Sequence, residues 1–126
     1  MEKPDRRKYP RVDVYSSISY VCIDVDGKLI DQNMGVALNL SQSGILLETG
    51  RPIESNIVSL MFVDLEEKLA EIRGEVAYSE QKESGMYFNG IRFKGNHEEN
   101  IQFAEKLVRA YHYRKSDFVL VVGVNA

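Results

Sequence analysis

The sequence predicts a mainly β domain of six antiparallel strands, arranged as a barrel or a sandwich, with one α-helix at the C-terminal end. Three observations carry that prediction. Apolar residues recur with the period of two that marks half-buried strands along several short stretches. The stretches are joined by turns too short for the crossovers that parallel strands need. After Gly95-Asn96 the period changes to that of a helix.

Residues 1–11, MEKPDRRKYPR, hold two prolines and almost nothing apolar, which predicts a mobile basic arm carrying Lys3, Arg6, Arg7, Lys8 and Arg11. Pro10 drives Tyr9 away from helical backbone. Arg7 and Arg11 are then spaced along an extended chain, on one side and about 13 Å apart. The folded body is expected over residues 12–117. In its first strand Val12, Val14, Ile18, Tyr20 and Cys22 alternate with Asp13, Tyr15, Ser17 and Ser19. Asp26-Gly27 turns a hairpin. The return strand sets Met34, Val36, Leu38 and Leu40 on one face and delivers Asn39 and Ser41 to the outward face at its end. Gly44 opens the third strand, Ile45-Leu46-Leu47-Glu48.

Pro52 breaks the chain before the fourth strand, Ile57 to Val63, which is apolar on both faces and expected to be covered on both. The turn Glu66-Glu67-Lys68 leads to the fifth, where Ile72, Gly74, Val76 and Tyr78 alternate with Glu71, Arg73 and Glu75. Ser84-Gly85 turns into the sixth, Met86 to Phe93. In the helix Ile101, Ala104, Leu107, Val108 and Tyr111 share a face, with Glu98 and Glu99 in the first turn and Arg114 and Lys115 in the last, as the helix dipole favours. Such a helix can cap an open barrel end. Residues 118–126 form an apolar tail, Phe118 to Val122 and Val124, expected to pack on the body or to pair with a second copy as a homodimer.

Composition narrows the function. At 126 residues, 44% hydrophobic and 28% charged, the chain suits one domain with a real core and fits neither a disordered nor a membrane class. It contains no apolar run near the roughly twenty residues of a membrane helix, and the basic arm has no apolar segment behind it, so the expected location is cytoplasmic. A net charge of −3 argues against general DNA or RNA binding, which draws on many Lys and Arg contacts to phosphate. A barrel binding single strands would want aromatics on a basic face; Tyr15, Tyr87 and Phe88 are candidates, but the chain has only a short basic arm and is acidic overall. Catalysis has no visible basis. His97 and His112 read as surface residues without a metal-spaced partner, Asp64, Glu66 and Glu67 as solvated turn residues, and Met34 and Met61 as core filler. Cys22 is the single cysteine and reads as a buried thiol.

Two motifs remain. In Asn39-x-Ser41-x-x-Gly44, short polar side chains can aim donors and acceptors at a heterocycle edge or a phosphate oxygen, and glycine lets backbone come close. The same residues also form turns by bonding their own backbone. Arg7-x-x-x-Arg11 sets two guanidiniums facing one way across a span suited to a small ligand with two recognisable ends. Both motifs in this order should occur by accident in on the order of one per cent of chains.

Together they resemble the two-part signature of the PilZ domain family, and the resemblance extends over the whole chain. It implies a six-stranded antiparallel β-barrel with a C-terminal helix. It also implies a receptor for cyclic di-GMP, a bacterial second messenger, with no further cofactor and no metal. Two phosphates and two guanines suit arginine, which can bond guanine O6 and N7 bidentately or stack on the purine. By that analogy Arg7 and Arg11 take guanine and phosphate, Asn39 and Ser41 meet the ligand from the barrel, and Gly44 keeps the turn open. Arg6 extends the pair and is expected to contact the ligand or to influence how many ligand molecules bind. Asn39 stands where the family also uses Asp. Ordering of the arm by ligand would create a surface that an unidentified downstream protein reads. The alternative is a ligand-free adaptor of the same family, working through protein contacts alone.

Overall fold

The computed structural model describes the backbone of residues 11–125 and the side chains of residues 11–113. The strands are β1 (Val12–Ile23), β2 (Leu29–Leu40), β3 (Gly44–Thr49), β4 (Ile57–Val63), β5 (Leu69–Gln81) and β6 (Tyr87–Phe93), followed by α1 (His97–Asn125). They close into a barrel in the order β1-β2-β3-β6-β5-β4, every pair antiparallel. Closure through β1 and β4, from Ser19↔Met61 to Ile23↔Ile57, decides for a barrel over a sandwich and leaves no free sheet edge.

Three of the hairpins use one loop geometry. Asp24, Asp64 and Lys82 each donate their N–H to the carbonyl four residues on and accept from the N–H three residues on. This is the pattern of a three-residue loop whose last residue is left-handed. Gly27 (φ 83°) and Gly85 (φ 90°) fill that position in two loops, whereas Glu67 (φ 63°) fills it in the third at a steric cost. Asp24 and Asp64 each accept two further backbone N–H bonds on a carboxylate oxygen, at 2.8–3.0 Å. For Asp64 the bonds from Lys68 and Glu66 hold the carboxyl below its ordinary pKa.

Inside the barrel Val14, Ile18 and Tyr20 of β1 meet Leu40, Ile45, Leu47, Leu60 and Ile91. Cys22 is buried, and burial is the main reason its thiol pKa is raised. Asn89 is fully buried as well. Its Nδ2 donates to the Leu47 carbonyl and to Thr49 Oγ1, each at 3.0 Å, and its Oδ1 accepts from Ser79 Oγ at 2.7 Å. A buried amide satisfied in this way costs little.

Four expectations about strand faces need correction. In β1 the register slips between Asp13 and Ser16, with Val12 exposed and the inward row beginning at Val14. In β2 a bulge lets Asn39, rather than Leu38, follow Ala37 in pairing with β3, so Gly35, Ala37 and Leu40 point inward. Met34 is therefore exposed at 63% rather than core filler, and Val36 and Leu38 are only half-buried. In β5 the register slips between Val76 and Tyr78, which turns Tyr78 out of the inward row and leaves it 55% exposed. In β4 the inner residues Val58, Leu60 and Phe62 are buried, but Met61 on the outer side is half-buried and Val63 is exposed, because a barrel covers only its inner face.

α1 starts at an Asn-x-x-Glu capping box. Asn96 Oδ1 accepts from the Glu99 N–H and Glu99 Oε1 from the Asn96 N–H, both at 2.8 Å. The helix packs against β1 and β5 and closes the barrel with Phe103, whose ring meets Phe62 and Phe93 edge to face at 5.2 and 5.5 Å. Phe103, Ala104, Leu107 and Ala110 are its buried stripe, while Ile101, Val108 and Tyr111 lie at its margin. Arg114 and Lys115 are not the last turn, since α1 continues to Asn125 and carries no basic residue at its end. Nothing between them and Gly123 breaks a helix. Residues 118–125 thus continue α1 in backbone, and the surroundings of their side chains lie outside the described residues. Among the described residues no helix is long and apolar enough to cross a membrane.

Candidate functional site

Antiparallel pairing of β1 with β2 sets Val12 opposite Leu40 and Asp13 opposite Asn39. Arg11, one residue ahead of β1, thereby reaches the end of β2, and its Nη1 donates to Asn39 Oδ1 at 2.9 Å. Residues from the two motifs, 28 positions apart, share one exposed patch. Arg6 and Arg7 lie outside the described residues.

The β2–β3 turn carries the rest of the second motif. Ser41 is buried at 6% exposure rather than lying beside Asn39 on the outward face. Ser41 lies past the last residue of β2, Leu40, so the strand's alternation no longer directs it, and it turns into its own loop. Its N–H donates to the Gly44 carbonyl at 2.9 Å, its hydroxyl accepts from the Ser43 N–H at 3.2 Å, and the two serine hydroxyls share a bond of 3.0 Å. Ser43 is the exposed member of the pair. Gly44 needs no left-handed φ; a Cβ there would lie 2.5 Å from the Ile91 carbonyl oxygen. Its small size thus serves the close approach of β3 to β6.

Beside this turn is an open hollow of about 210 Å³ lined by Arg11, Ser43, Gly44, Tyr78, Gly90 and Arg92, among others. The β5 bulge that exposes Tyr78 sets it opposite Gly90, and its ring lies over the space where a Cβ on Gly90 would be. Arg92 Nη2 donates to Glu75 Oε1 at 2.8 Å, and Lys94 Nζ lies 3.8 Å from Glu75 Oε2. The hollow therefore offers an aromatic face, two guanidiniums and a hydroxyl, one guanidinium being partly neutralised by a carboxylate. Such a set suits a planar heterocycle joined to phosphate.

Ser43, Tyr78, Gly90 and Arg92 were not singled out in the sequence. Gly90, isolated in an apolar strand, was the available signal for close approach. Tyr78 gave none, because its alternation matched an inward residue up to the bulge. Across the same turn a larger, mostly apolar groove of about 570 Å³ runs between α1 and the barrel rim, lined by Val12, Leu40, Ser41 and Gln42 on one side and by Ala104, Val108 and His112 with their neighbours on the other.

A family model described as the PilZ domain matches residues 5–111. No curated protein matches. Among solved structures, the chain is similar to the PilZ domain of YcgR from Escherichia coli with c-di-GMP, at TM-score 0.60 and 10% identity over 91% of this chain and 98% of that one. It is also similar to the Bacillus subtilis inhibitor of motility MotI/DgrA, at TM-score 0.59 and 16% identity over 82% and 52% of the two chains. The complex of MrkH from K. pneumonia with c-di-GMP matches at TM-score 0.55 and 18% identity over 97% and 56%. The chain spans about half the length of MotI and of MrkH.

Proposed function

The chain belongs to the PilZ domain family, and on that premise we propose that it is a receptor for cyclic di-GMP, acting by binding rather than catalysis in the cytoplasm of a bacterium. The observation that carries this reading is the Arg11–Asn39 hydrogen bond, which joins the two separated motifs beside the open hollow. The YcgR and MrkH structures, similar in fold, are complexes with c-di-GMP, which supports the choice of ligand.

In this reading Arg7 and Arg11 engage the guanines and phosphates, Asn39 both donates and accepts, and Ser43 and Gly44 border the ligand. Ser41 supports the turn from beneath and reaches the ligand through the Ser43 hydroxyl pair. Arg6 adds charge that influences ligand number. The segment containing Arg6 and Arg7 closes over the ligand, at some cost in ordering, and the surface so formed is read by an unidentified downstream protein.

Calorimetric titration of cyclic di-GMP into the wild type, Arg7→Ala and Arg11→Ala, with GTP as control, tests the proposal. Each substitution should weaken binding by about 1–3 kcal/mol, the worth of a bidentate charge-assisted contact. A folded wild type that gives no binding would overturn it and favour the ligand-free adaptor. Arm closure has its own test, since hydrogen exchange over residues 3–11 must slow when ligand saturates the protein.

A further inference from the structure

The groove between α1 and the barrel rim is separate from the proposed ligand hollow, and its walls are apolar where Val12, Leu40, Ala104 and Val108 meet. We infer that this groove seats the C-terminal half of α1 from a second copy of the chain, so that two copies pair through antiparallel helices.

Two features of this chain select that occupant. The first is the stripe on α1. The groove-lining positions Ala104, Glu105, Val108 and His112 follow helical spacing, and the same spacing continues through Lys115 and Val119 to Val122 and Gly123. One half of a single stripe thus forms a groove wall, and the other half is an apolar sequence beyond Ala110, the last buried helix position among the described residues.

The second is reach. α1 is one helix from His97 to Asn125, so its Gly123 stands about 28 Å along the axis from its own Ala104. A chain cannot fill its own groove with this segment, whereas a second copy can. A twofold axis between residues 113 and 114 sets the second copy's Val119 opposite Val108 and its Gly123 opposite Ala104. Small faces small and apolar faces apolar, and the contact is self-complementary as a twofold interface requires.

Sedimentation velocity on the full chain over a concentration series tests this directly. The wild type should show a concentration-dependent dimer. Val119→Glu and Val108→Lys should each weaken it at least about tenfold, because each buries an unpaired charge in both seats. At concentrations below the dimer range, thermal unfolding should leave Val119→Glu as stable as the wild type, which separates loss of pairing from loss of fold. Mixing the two variants should restore dimers, since one seat then opposes the introduced ammonium to the introduced carboxylate and the other is native. A wild type that stays monomeric, a mixture no better than either variant alone, or binding of lipid vesicles in place of self-association would overturn the inference.

Discussion

Gly44→Ala should destabilise the barrel, and the structure says by how much. The new Cβ would lie 2.5 Å from the Ile91 carbonyl oxygen, about 0.9 Å short of the 3.4 Å at which such a contact becomes ordinary. The obstacle is backbone, held in the β3–β6 ladder by the Gly44↔Arg92 pairing and the 2.9 Å bond from the Phe93 N–H to the Ser43 carbonyl. It cannot swing aside, so the two strands must separate. Overpacking of this kind costs about 1–3 kcal/mol, and one strained ladder bond adds about 1 kcal/mol. The lower chain entropy of unfolded alanine returns about 0.4–1 kcal/mol. The net loss is roughly 2 kcal/mol, a fall in Tm of about 6–12 °C for a chain of this size. Gly90→Ala is the control. Its Cβ would meet the Tyr78 ring, an exposed side chain that can rotate away, so its cost should stay below about 1 kcal/mol. Urea unfolding of both variants with a common m-value measures the difference. Gly44→Ala at wild-type stability, or Gly90→Ala as costly as Gly44→Ala, would refute the reasoning.

Two further predictions concern the hairpins. Glu67→Gly should stabilise the protein by about 0.5–1 kcal/mol in chemical denaturation, because it relieves a left-handed residue at the position that Gly27 and Gly85 fill in the sister loops. The Lys68 and Glu66 amides are the chief groups holding the Asp64 carboxyl below the ordinary aspartate range. Its contribution to stability is therefore fully present above the unfolded-chain value of about 3.9 and is lost as pH falls through the lower folded one. Stability followed from pH 5 downward should fall less steeply in Asp64→Asn than in the wild type; equal slopes would contradict the assignment.

The strands, their order and the closing helix were legible because each depends on local periodicity and short turns. Face assignments held where the period ran unbroken, as from Val14 to Cys22, and failed past the bulges, since an extra residue leaves no mark in an apolar pattern. Met34 and Tyr78 were misplaced for that reason. The burial of Asn89 was not legible, because only the carbonyl and hydroxyls brought beside it by β3 and β5 explain it. Arg114 and Lys115 imitated a helix end because charge alone does not stop a helix. Asn39 was legible as an outward residue at the right strand end, whereas Ser41 was assigned by extending the strand's parity one residue past its end, into a turn that does not keep it.

The most direct measurement of the central claim is a two-dimensional amide NMR titration of the protein with cyclic di-GMP. The account predicts saturable shifts concentrated at Arg11, Asn39, Ser43, Gly44, Tyr78 and Gly90, with GTP failing to reproduce them. Absence of shifts in a folded protein, or shifts confined to the α1 groove around Ala104 and Val108, would contradict it.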